Sequence, residues 1–452
     1  MKIIIAGDGK VGATLARQLS AEGHDLTLID ARHDVLANTI ERYDVMTITG
    51  NCATMGVLRQ AEVETADLLI AVTNADEVNL LCCMTAHAMN PALHTMARIR
   101  NPEYAEQISQ MRDQFALSMM FNPEKQTAIE IERLLEFPGF LKRDSFAKDR
   151  VEIVELRVEP GSKLDGVSLA DLDKTIGCKV LVCTVLREGR AVMPGGSFVL
   201  RGGDCIFVTA ATSVLSTLLK NLGIISRKPK RVILVGGGRV SYYLAQRLEK
   251  AGMRVSILEK DRSRCVELAG LLPQTDIIHG DASDQRDLDS AGLSECDAIV
   301  SLTGLDEVNI IISLYATSRK VPHVITKLGH GESLDILDKL PIGSVVCPKE
   351  LSCNTVVRYV RAIQQQAGAA VSVHAIANGQ AEAVEFVVDE DTRNVGIPLK
   401  DLTLRRNVLL VCITRGVTTY IPNGESTLEV GDTVVAVTGS DTVLLQLNDI
   451  FA

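Results

Sequence analysis

The strongest constraint on the fold is an internal repeat. The segment IIIAGDGKVG (3–12) returns in the second half of the chain as ILVGGGRVS (233–241), with Gly7 aligned to Gly236. The repeat extends well beyond the glycines, because the tetrapeptide Asp-Glu-Val-Asn occurs identically at 76–79 and 306–309. Similarity over such a length indicates a duplicated structural unit.

Each half reads as two parts. Short apolar runs such as 25–30 and 68–74 alternate with amphipathic helical patterns, which predicts a doubly wound parallel α/β sheet. A smaller segment with alternating strands and glycine turns follows in each half and predicts a β-rich or α+β module. The fold class is therefore α/β, with two tandem Rossmann-like domains that are each followed by a small α+β module. The predicted boundaries are 1–140, 141–226, 231–365 and 370–452.

Composition limits the classes of function. The 452 residues carry a net charge of −10, which argues against a general nucleic-acid surface. We expect a cytoplasmic protein, because neither a signal peptide nor a long apolar run is present. The eleven cysteines show no CxxC spacing and indicate reduced thiols. A metal site at Cys82, Cys83, His87 and His94 is a weaker interpretation than core packing.

The first glycine turn carries the clearest chemical signal. Gly7, Gly9 and Gly12 follow a strand and open a helix, and Asp30 ends the next strand about 20 residues on. In a dinucleotide site the glycines permit a tight turn, the approach of a pyrophosphate, and close helix packing. The helix N-terminus favours the anion. A carboxylate at Asp30 can accept hydrogen bonds from ribose hydroxyls, which favours NAD over its 2′-phosphorylated relative.

Further candidates fall at strand ends. Thr73 and Asn74 end the fourth strand, and the segment 50–53 after the third strand is a candidate adenine neighbour. Asp76 suits either a helix N-cap or a ligand contact. Arg98 follows a fifth strand and is either a pyrophosphate contact or a surface cation.

The second copy departs from the first at several positions. It retains Gly236 and Gly238 but has Ser241 in place of the third glycine. Glu259 replaces Asp30, and Lys327 stands where Arg98 stood, which exchanges a planar fork for a point charge. Together these changes predict a second site with altered affinity or an altered ligand.

Catalysis is not indicated. No histidine lies in 151–225, and no Ser-His-Asp, zinc-protease or P-loop motif occurs in the sequence. A dehydrogenase needs an acid or base beside the nicotinamide. The sequence therefore favours a protein that senses a ligand by binding it, and a soluble NAD-dependent oxidoreductase is the alternative.

The whole chain resembles the family that regulates potassium conductance (RCK or KTN type). The resemblance rests on IIIAGDGKVG, ITGNCA, AVTNADEVN, ARIRNPEY and the paired segments GDCIFVTA and GDTVVAVTG. It implies a non-catalytic gating-ring subunit that is peripheral to the cytoplasmic side of the inner membrane and controls potassium transport. The implied partners are a membrane-embedded potassium-translocating subunit and further copies of the chain in a homotetramer.

The resemblance also implies ligands and their residues. NAD(H) is the implied cofactor, and ATP or ADP is a further candidate at one of the sites. In the second half, Thr303 and Gly304 replace Thr73 and Asn74. The segment 124–140 is either a helix–turn–helix crossover with its turn at Pro138 and Gly139 or a plain linker. The residues implied in binding are Gly7, Asp8, Gly9, Lys10, Val11, Gly12, Asp30, Thr73, Asn74 and Arg98, and in the second half Gly236, Gly237, Gly238, Arg239, Val240 and Glu259.

Overall fold

The computed structural model describes residues 1–112, 114–136, 141–147, 150–223, 228–329, 340–363, 370–439, 442, 444 and 446–452. The chain forms two compact units. The first contains Met1–Ala128 and Cys347–Val357, and the second contains Ile129–Val346 and Arg358–Ala452.

The first unit is built on a six-stranded parallel sheet. Its strand order is β3-β2-β1-β4-β5-β6, so the order reverses between β1 and β4. Ala6 of β1 pairs with Ile29 on one side and with Ala71 on the other. The strands are β1 (Lys2–Ala6), β2 (Asp25–Asp30), β3 (Met46–Thr49), β4 (Leu68–Ala71), β5 (His94–Arg98) and β6 (Met119–Phe121).

Helices connect these strands, as parallel pairing requires. The apolar runs of β1 and β4 are almost fully buried, in keeping with a sheet that is covered on both faces. The helices are α1 (Lys10–Ala21), α2 (His33–Ile40), α3 (Met55–Gln60), α4 (Asp76–Met89), α5 (Pro102–Gln110) and α6 (Pro123–Glu136).

The second unit begins with an antiparallel module. Its five strands have the order β10-β9-β11-β8-β7, and two short helices accompany them. The elements are β7 (Lys142–Phe146), β8 (Val151–Arg157), α7 (Leu172–Ile176), β9 (Leu181–Arg187), β10 (Arg190–Val192), β11 (Cys205–Ala211) and α8 (Thr212–Asn221).

A second six-stranded parallel sheet follows. Its order, β14-β13-β12-β15-β16-β17, repeats that of the first sheet strand for strand. The strands are β12 (Arg231–Val235), β13 (Arg254–Glu259), β14 (Asp276–His279), β15 (Ala298–Ser301), β16 (His323–Lys327) and β17 (Ser344–Val346). The helices are α9 (Arg239–Lys250), α10 (Arg262–Leu271), α11 (Gln285–Ser290) and α12 (Asp306–Ser318). Helix α13 (Pro348–Ile363) follows β17 in the chain, and its residues up to Val357 belong to the first unit.

The last module is again antiparallel. Its order is β18-β19-β22-β20-β21. The strands are β18 (Ala370–Ile376), β19 (Ala381–Val387), β20 (Val408–Arg415), β21 (Thr418–Tyr420) and β22 (Thr433–Gly439). The repeated pair of a Rossmann-like domain and a small module confirms the predicted fold class, while the four domain boundaries stay predictions.

The two antiparallel modules share one hydrophobic core within the second unit. Phe146 and Phe207 of the first module lie in the same buried cluster as Ile376 and Val435 of the second. Polar contacts join the modules as well, since the backbone N–H of Ala191 donates to a Gln380 side-chain oxygen at 2.9 Å. The two modules therefore shield this shared core from water together.

Two further expectations from the sequence concern the proposed crossover at 124–140 and membrane-spanning helices. Helix α6 covers the start of the proposed crossover, and Pro138 and Gly139 lie outside the described residues. In the part of the chain that the structure describes, no helix combines the length and apolar character needed to cross a bilayer.

Candidate functional site

The first glycine turn is sterically closed to larger residues. Gly7 has a φ of +105°, and a Cβ atom there would lie 2.9 Å from the backbone nitrogen of Thr73. At Gly12 an added Cβ would lie only 1.9 Å from the carbonyl oxygen of Gly7. Helix α1 therefore packs directly on the turn. Gly9 precedes the first residue of this helix, and the space beside it is open.

Asp30 is held in place at the end of β2. One carboxylate oxygen accepts a hydrogen bond from the backbone N–H of Asp8 at 2.9 Å, and the other accepts from that of Arg32 at 2.9 Å. The carboxylate is thus fixed beside the glycine turn before any ligand arrives. Such preorganisation lowers the entropy cost of binding.

A cleft of about 410 Å³ opens at the carboxyl ends of the strands, where the strand order reverses. This is where open α/β sheets bind ligands. The structure brings eight of the predicted first-site residues to this cleft, whereas Asp8, Ala53, Arg98 and the start of α1 do not line it. The predicted residues that line it are Gly7, Gly9, Asp30, Gly50, Asn51, Cys52, Thr73 and Asn74.

The start of α1 adds little side-chain chemistry to the cleft. Lys10 is exposed, and Val11 is buried against the domain. Their predicted contribution to binding therefore comes through the backbone N–H groups of the first helical turn.

Asp8 is a buried acid within the turn. One of its carboxylate oxygens accepts a hydrogen bond from the hydroxyl of Thr39 at 2.6 Å. Burial raises the pKa of the Asp8 carboxyl, and the nearby negative charge of Asp30 raises it further.

An asparagine that the sequence analysis did not single out holds the far wall of the cleft. Asn79 is fully buried, and its side-chain oxygen accepts from the backbone N–H of Thr73 at 2.8 Å and from its hydroxyl at 2.7 Å. Its amide donates to the carbonyl oxygens of Thr73 at 3.2 Å and Arg98 at 2.9 Å. The available signal was the tetrapeptide repeated at 76–79 and 306–309.

Arg98 is the last residue of β5 and is 8% exposed. Its Nη2 atom donates to the carbonyl oxygen of Thr73 at 2.6 Å, and its Nε atom has no hydrogen-bond partner among the described residues. Burial and the neighbouring charge of Arg100 lower the pKa of Arg98 to about 10. The side chain remains cationic at neutral pH, so an anion in the cleft would offset its burial.

The N-cap interpretation of Asp76 was wrong. Helix α4 is capped by Ala75, and Asp76 is the first helical residue. The Asp76 carboxylate instead accepts from the backbone N–H groups of Arg100 and Asn101, both at 2.8 Å. It is committed to the loop after β5, which accounts for its burial.

The second copy reproduces the geometry with different side chains. Gly236 has a φ of +99°, and Glu259 accepts from the backbone N–H of Gly237 at 2.5 Å. The Ser241 hydroxyl donates to the carbonyl oxygen of Gly236, so this copy accommodates a side chain where the first has Gly12. Gly238 precedes α9, and Arg239 and Val240 begin it.

Polar contacts around the second turn follow the same plan. Asn309 accepts from the backbone N–H of Thr303 at 2.9 Å, as Asn79 does from Thr73. The ammonium group of Lys327 donates to the carbonyl oxygen of Thr303 at 2.7 Å, which matches the contact made by Arg98. Arg264 is an addition, since its Nε donates to the Gly237 carbonyl at 2.7 Å. The two turns are therefore structural equivalents with different chemical surroundings.

Known proteins share this duplicated arrangement in sequence and in structure. TrkA-N domains match residues 3–118 and 232–348, and TrkA-C domains match residues 153–223 and 383–451. The Trk system potassium uptake protein TrkA of Halomonas elongata is 32% identical over 440 residues, covering 96% of this chain and 95% of that protein. A TrkA homolog of Archaeoglobus fulgidus is 33% identical over 433 residues, covering 96% of both.

Solved structures agree on the fold. The structure described as the GsuK RCK domain is similar, with a TM-score of 0.61, 17% identity, and coverage of 97% of this chain and 92% of that one. The GsuK channel bound to NAD gives a TM-score of 0.60 at 17% identity, covering 97% of this chain and 77% of that one. The duplicated fold is therefore of the RCK type.

The matching domains and full-length relatives make the assignment more specific. The chain belongs to the TrkA family, with two TrkA-N domains and two TrkA-C domains in alternation. The resemblance predicted from the glycine turns and the paired modules is confirmed.

Proposed function

We propose that this chain is the non-catalytic regulatory subunit of a potassium uptake system and that it binds NAD(H) in the first cleft. The observation that carries the proposal is the fixed Asp30 carboxylate beside an open glycine turn in a cleft of about 410 Å³. The full-length similarity to proteins named Trk system potassium uptake protein TrkA supports the potassium role.

The contacts of a dinucleotide follow from this geometry. The backbone beside Gly9 and the N-terminus of α1 would hold the pyrophosphate, because unpaired N–H groups and the helix dipole favour an anion. The Asp30 carboxylate would accept hydrogen bonds from the ribose hydroxyls, and Arg98 would contribute positive charge from the end of β5. The structurally similar GsuK channel, described as bound to NAD, supports this ligand class.

The second glycine turn is proposed as a nucleotide site with a different preference. Glu259 retains a carboxylate for a ribose, and Lys327 retains a positive charge. Arg264 adds a second cation beside the turn, which suits ligands with more phosphate charge. ATP or ADP is therefore the proposed ligand class for this site.

The proposed partner is a membrane-embedded potassium-translocating subunit of the TrkH or TrkG type. The chain would assemble as a homotetramer on the cytoplasmic side of the inner membrane. Nucleotide binding would shift the equilibrium between two ring conformations only to the extent that the nucleotide binds one conformation more tightly than the other. This shift would in turn bias the transporter. Regulation of this kind needs no bond-making chemistry.

Substitution of Asp30 by alanine tests the first site. The loss of charge-assisted hydrogen bonds to a ribose should cost about 3 kcal/mol, on the order of a 100-fold weaker affinity for NADH. Calorimetric titration of the full chain measures this. Asp34→Ala is the matched control, because Asp34 is an exposed aspartate on the adjacent helix α2 and does not line the cleft. Unchanged affinity in Asp30→Ala would remove the site assignment.

The oxidoreductase alternative has a separate test. Incubation with NADH and small carbonyl substrates should give no turnover that depends on Asp30. Potassium uptake through a co-reconstituted membrane subunit should instead respond to NADH and lose that response in Asp30→Ala. Turnover of NADH that is abolished in this variant would favour the alternative.

A further inference from the structure

An arginine stands beside the Asp30 carboxylate in the first cleft and has no assigned role. Arg32 lines the cleft together with Asp30, and its side chain is 61% exposed. The Nε atom of Arg32 lies 3.7 Å from a carboxylate oxygen of Asp30, which is too far for a hydrogen bond. Among the described residues the guanidinium group has no hydrogen-bond partner, so its N–H groups are available to a ligand.

The backbone fixes this cation relative to Asp30. The N–H group of Arg32 donates to the Oδ1 atom of Asp30 at 2.9 Å, and Arg32 is the extended N-cap residue of α2. Its side chain makes no capping hydrogen bond to the helix. A group bound to the Asp30 carboxylate therefore comes within reach of the Arg32 guanidinium.

The second half of the chain provides an internal comparison. Glu259 aligns with Asp30, and the residue that aligns with Arg32 is Asp261. The backbone contact is retained, because the N–H group of Asp261 donates to a Glu259 carboxylate oxygen at 2.7 Å. The neighbouring Lys260 is engaged in an ion pair. The first copy thus has a carboxylate and a cation where the second has two carboxylates.

This charge pattern bears on the 2′-position of a bound ribose. A 2′-hydroxyl that donates to Asp30 lies about 3 Å from the carboxylate, so a phosphate on that oxygen would be close to both charges. Asp30 would repel the phosphate and Arg32 would attract it, and the two Coulomb energies largely cancel at similar distances. The planar guanidinium fork also suits phosphate oxygens.

We propose that Arg32 is a specificity-determining residue that lets the first cleft accept the 2′-phosphorylated dinucleotide NADP(H) as well as NAD(H). The inference rests on the proposed nucleotide function and adds a ligand class to it. Asp30 alone favours the dinucleotide with a free 2′-hydroxyl, because the carboxylate accepts from a hydroxyl and repels a phosphate. The ratio of the two affinities therefore reports on Arg32.

Calorimetric titrations of the full chain with NADH and with NADPH measure this ratio. We expect NADPH to bind within about tenfold of NADH, because charge-assisted bonds to Arg32 offset the lost hydrogen bond from the 2′-hydroxyl to Asp30. NADPH titrated into the chain saturated with NADH should displace it, as expected of two ligands that compete for one cleft.

Arg32→Ala removes the cation. NADPH binding should weaken by about 10- to 100-fold, the usual range for the loss of hydrogen bonds to a charged group. NADH affinity should fall much less, by under about fivefold, because the exposed Arg32 side chain contributes only screened charge to that complex. Arg42→Ala is the matched control. Arg42 is an exposed arginine just after α2 that does not line the cleft, so both affinities should stay unchanged.

Two further variants separate charge from folding. Arg32→Asp, which carries the residue found at 261, should weaken NADPH binding more than Arg32→Ala does. It should keep the melting temperature, because the Asp261 carboxylate caps α10 by accepting from the backbone N–H groups of Ser263 and Arg264. Asp30→Ala should reverse the preference, since it removes both the ribose contact of NADH and the repulsion of the 2′-phosphate.

Two results would overturn the inference while leaving NADH binding intact. The first is NADPH that does not displace NADH from the unmodified chain. The second is an Arg32→Ala variant whose NADPH affinity is unchanged or falls no more than its NADH affinity. An unmodified chain that binds neither dinucleotide would refute the proposed nucleotide function and this inference together.

Discussion

Replacing Gly12 with alanine should disrupt the first glycine turn. The new Cβ would lie 1.9 Å from the Gly7 carbonyl oxygen, so α1 and the turn must separate by about 1 Å or more. Because the obstructing atom belongs to the backbone, no side-chain rotation relieves the contact. We expect a loss near the upper end of overpacking costs, about 3 kcal/mol, which corresponds to a melting temperature lowered by about 10 °C for a unit of this size.

Thermal unfolding of the full chain, followed by circular dichroism, measures this effect. Affinity for NADH should fall in parallel, because the displaced α1 no longer presents its N-terminus at the correct distance from Asp30. Gly56→Ala is the matched control. Gly56 lies in α3 with open space around its Cα, so alanine should leave the melting temperature unchanged or raise it.

The second copy offers a complementary substitution. Ser241 occupies the position equivalent to Gly12, and its hydroxyl bonds to the Gly236 carbonyl. Ser241→Gly should therefore cost only about 1 kcal/mol, for one lost hydrogen bond. The steric reasoning fails if Gly12→Ala retains both the melting temperature and the NADH affinity of the unmodified chain.

Two other substitutions probe the polar groups of the cleft. Asn79→Ala should lower stability by about 3 kcal/mol, because it leaves the half-buried polar groups of Thr73 and the buried carbonyl of Arg98 without their partner. Asn309→Ala breaks the equivalent network and should cost a similar amount, and unequal losses in thermal unfolding would contradict this. Asp8→Asn should raise the melting temperature at pH 7, because the raised pKa of Asp8 means that the folded state loses stability as pH rises through that pKa. The gain should vanish as pH falls toward 3.8, the ordinary aspartate value, and a gain that persists at low pH would point to another cause.

The glycine turn and its acidic partner were predictable because both are local. Gly7, Gly9 and Gly12 have a fixed spacing, and Asp30 stands at the end of the following strand, so the sequence alone places them together. The position of Arg98 at the end of β5 was predicted nearly as well. Arg98 is further away in the sequence, but the strand order of a Rossmann-like fold constrains where the end of β5 lies.

The role of Asn79 was harder to infer. A polar residue within a helix pattern is usually solvent-exposed, and its partners, Thr73 and the carbonyl of Arg98, lie on two separate strand ends. The N-cap interpretation of Asp76 was wrong for the same reason, since its carboxylate bonds to a loop more than 20 residues away. Only the tertiary arrangement of β4 and β5 identifies these partners.

Contacts between the halves were beyond local sequence patterns. The Asp144 carboxylate accepts a hydrogen bond from Nδ1 of His374 across 230 positions at 2.9 Å, and His374 lies on β18 within the last sheet. Alternating apolar residues predict that a strand has a buried face, but not which distant strand covers it.

The core shared by the two small modules has a consequence for how the duplication could diverge. Two separate chains would lose translational and rotational freedom on pairing, at a cost of several kcal/mol, and identical chains would also pair with themselves. Joining them in one polypeptide fixes a one-to-one ratio and makes the encounter intramolecular. Each half then always meets the same unlike neighbour, so GDGKVG and GGGRVS can change independently without producing mismatched pairs.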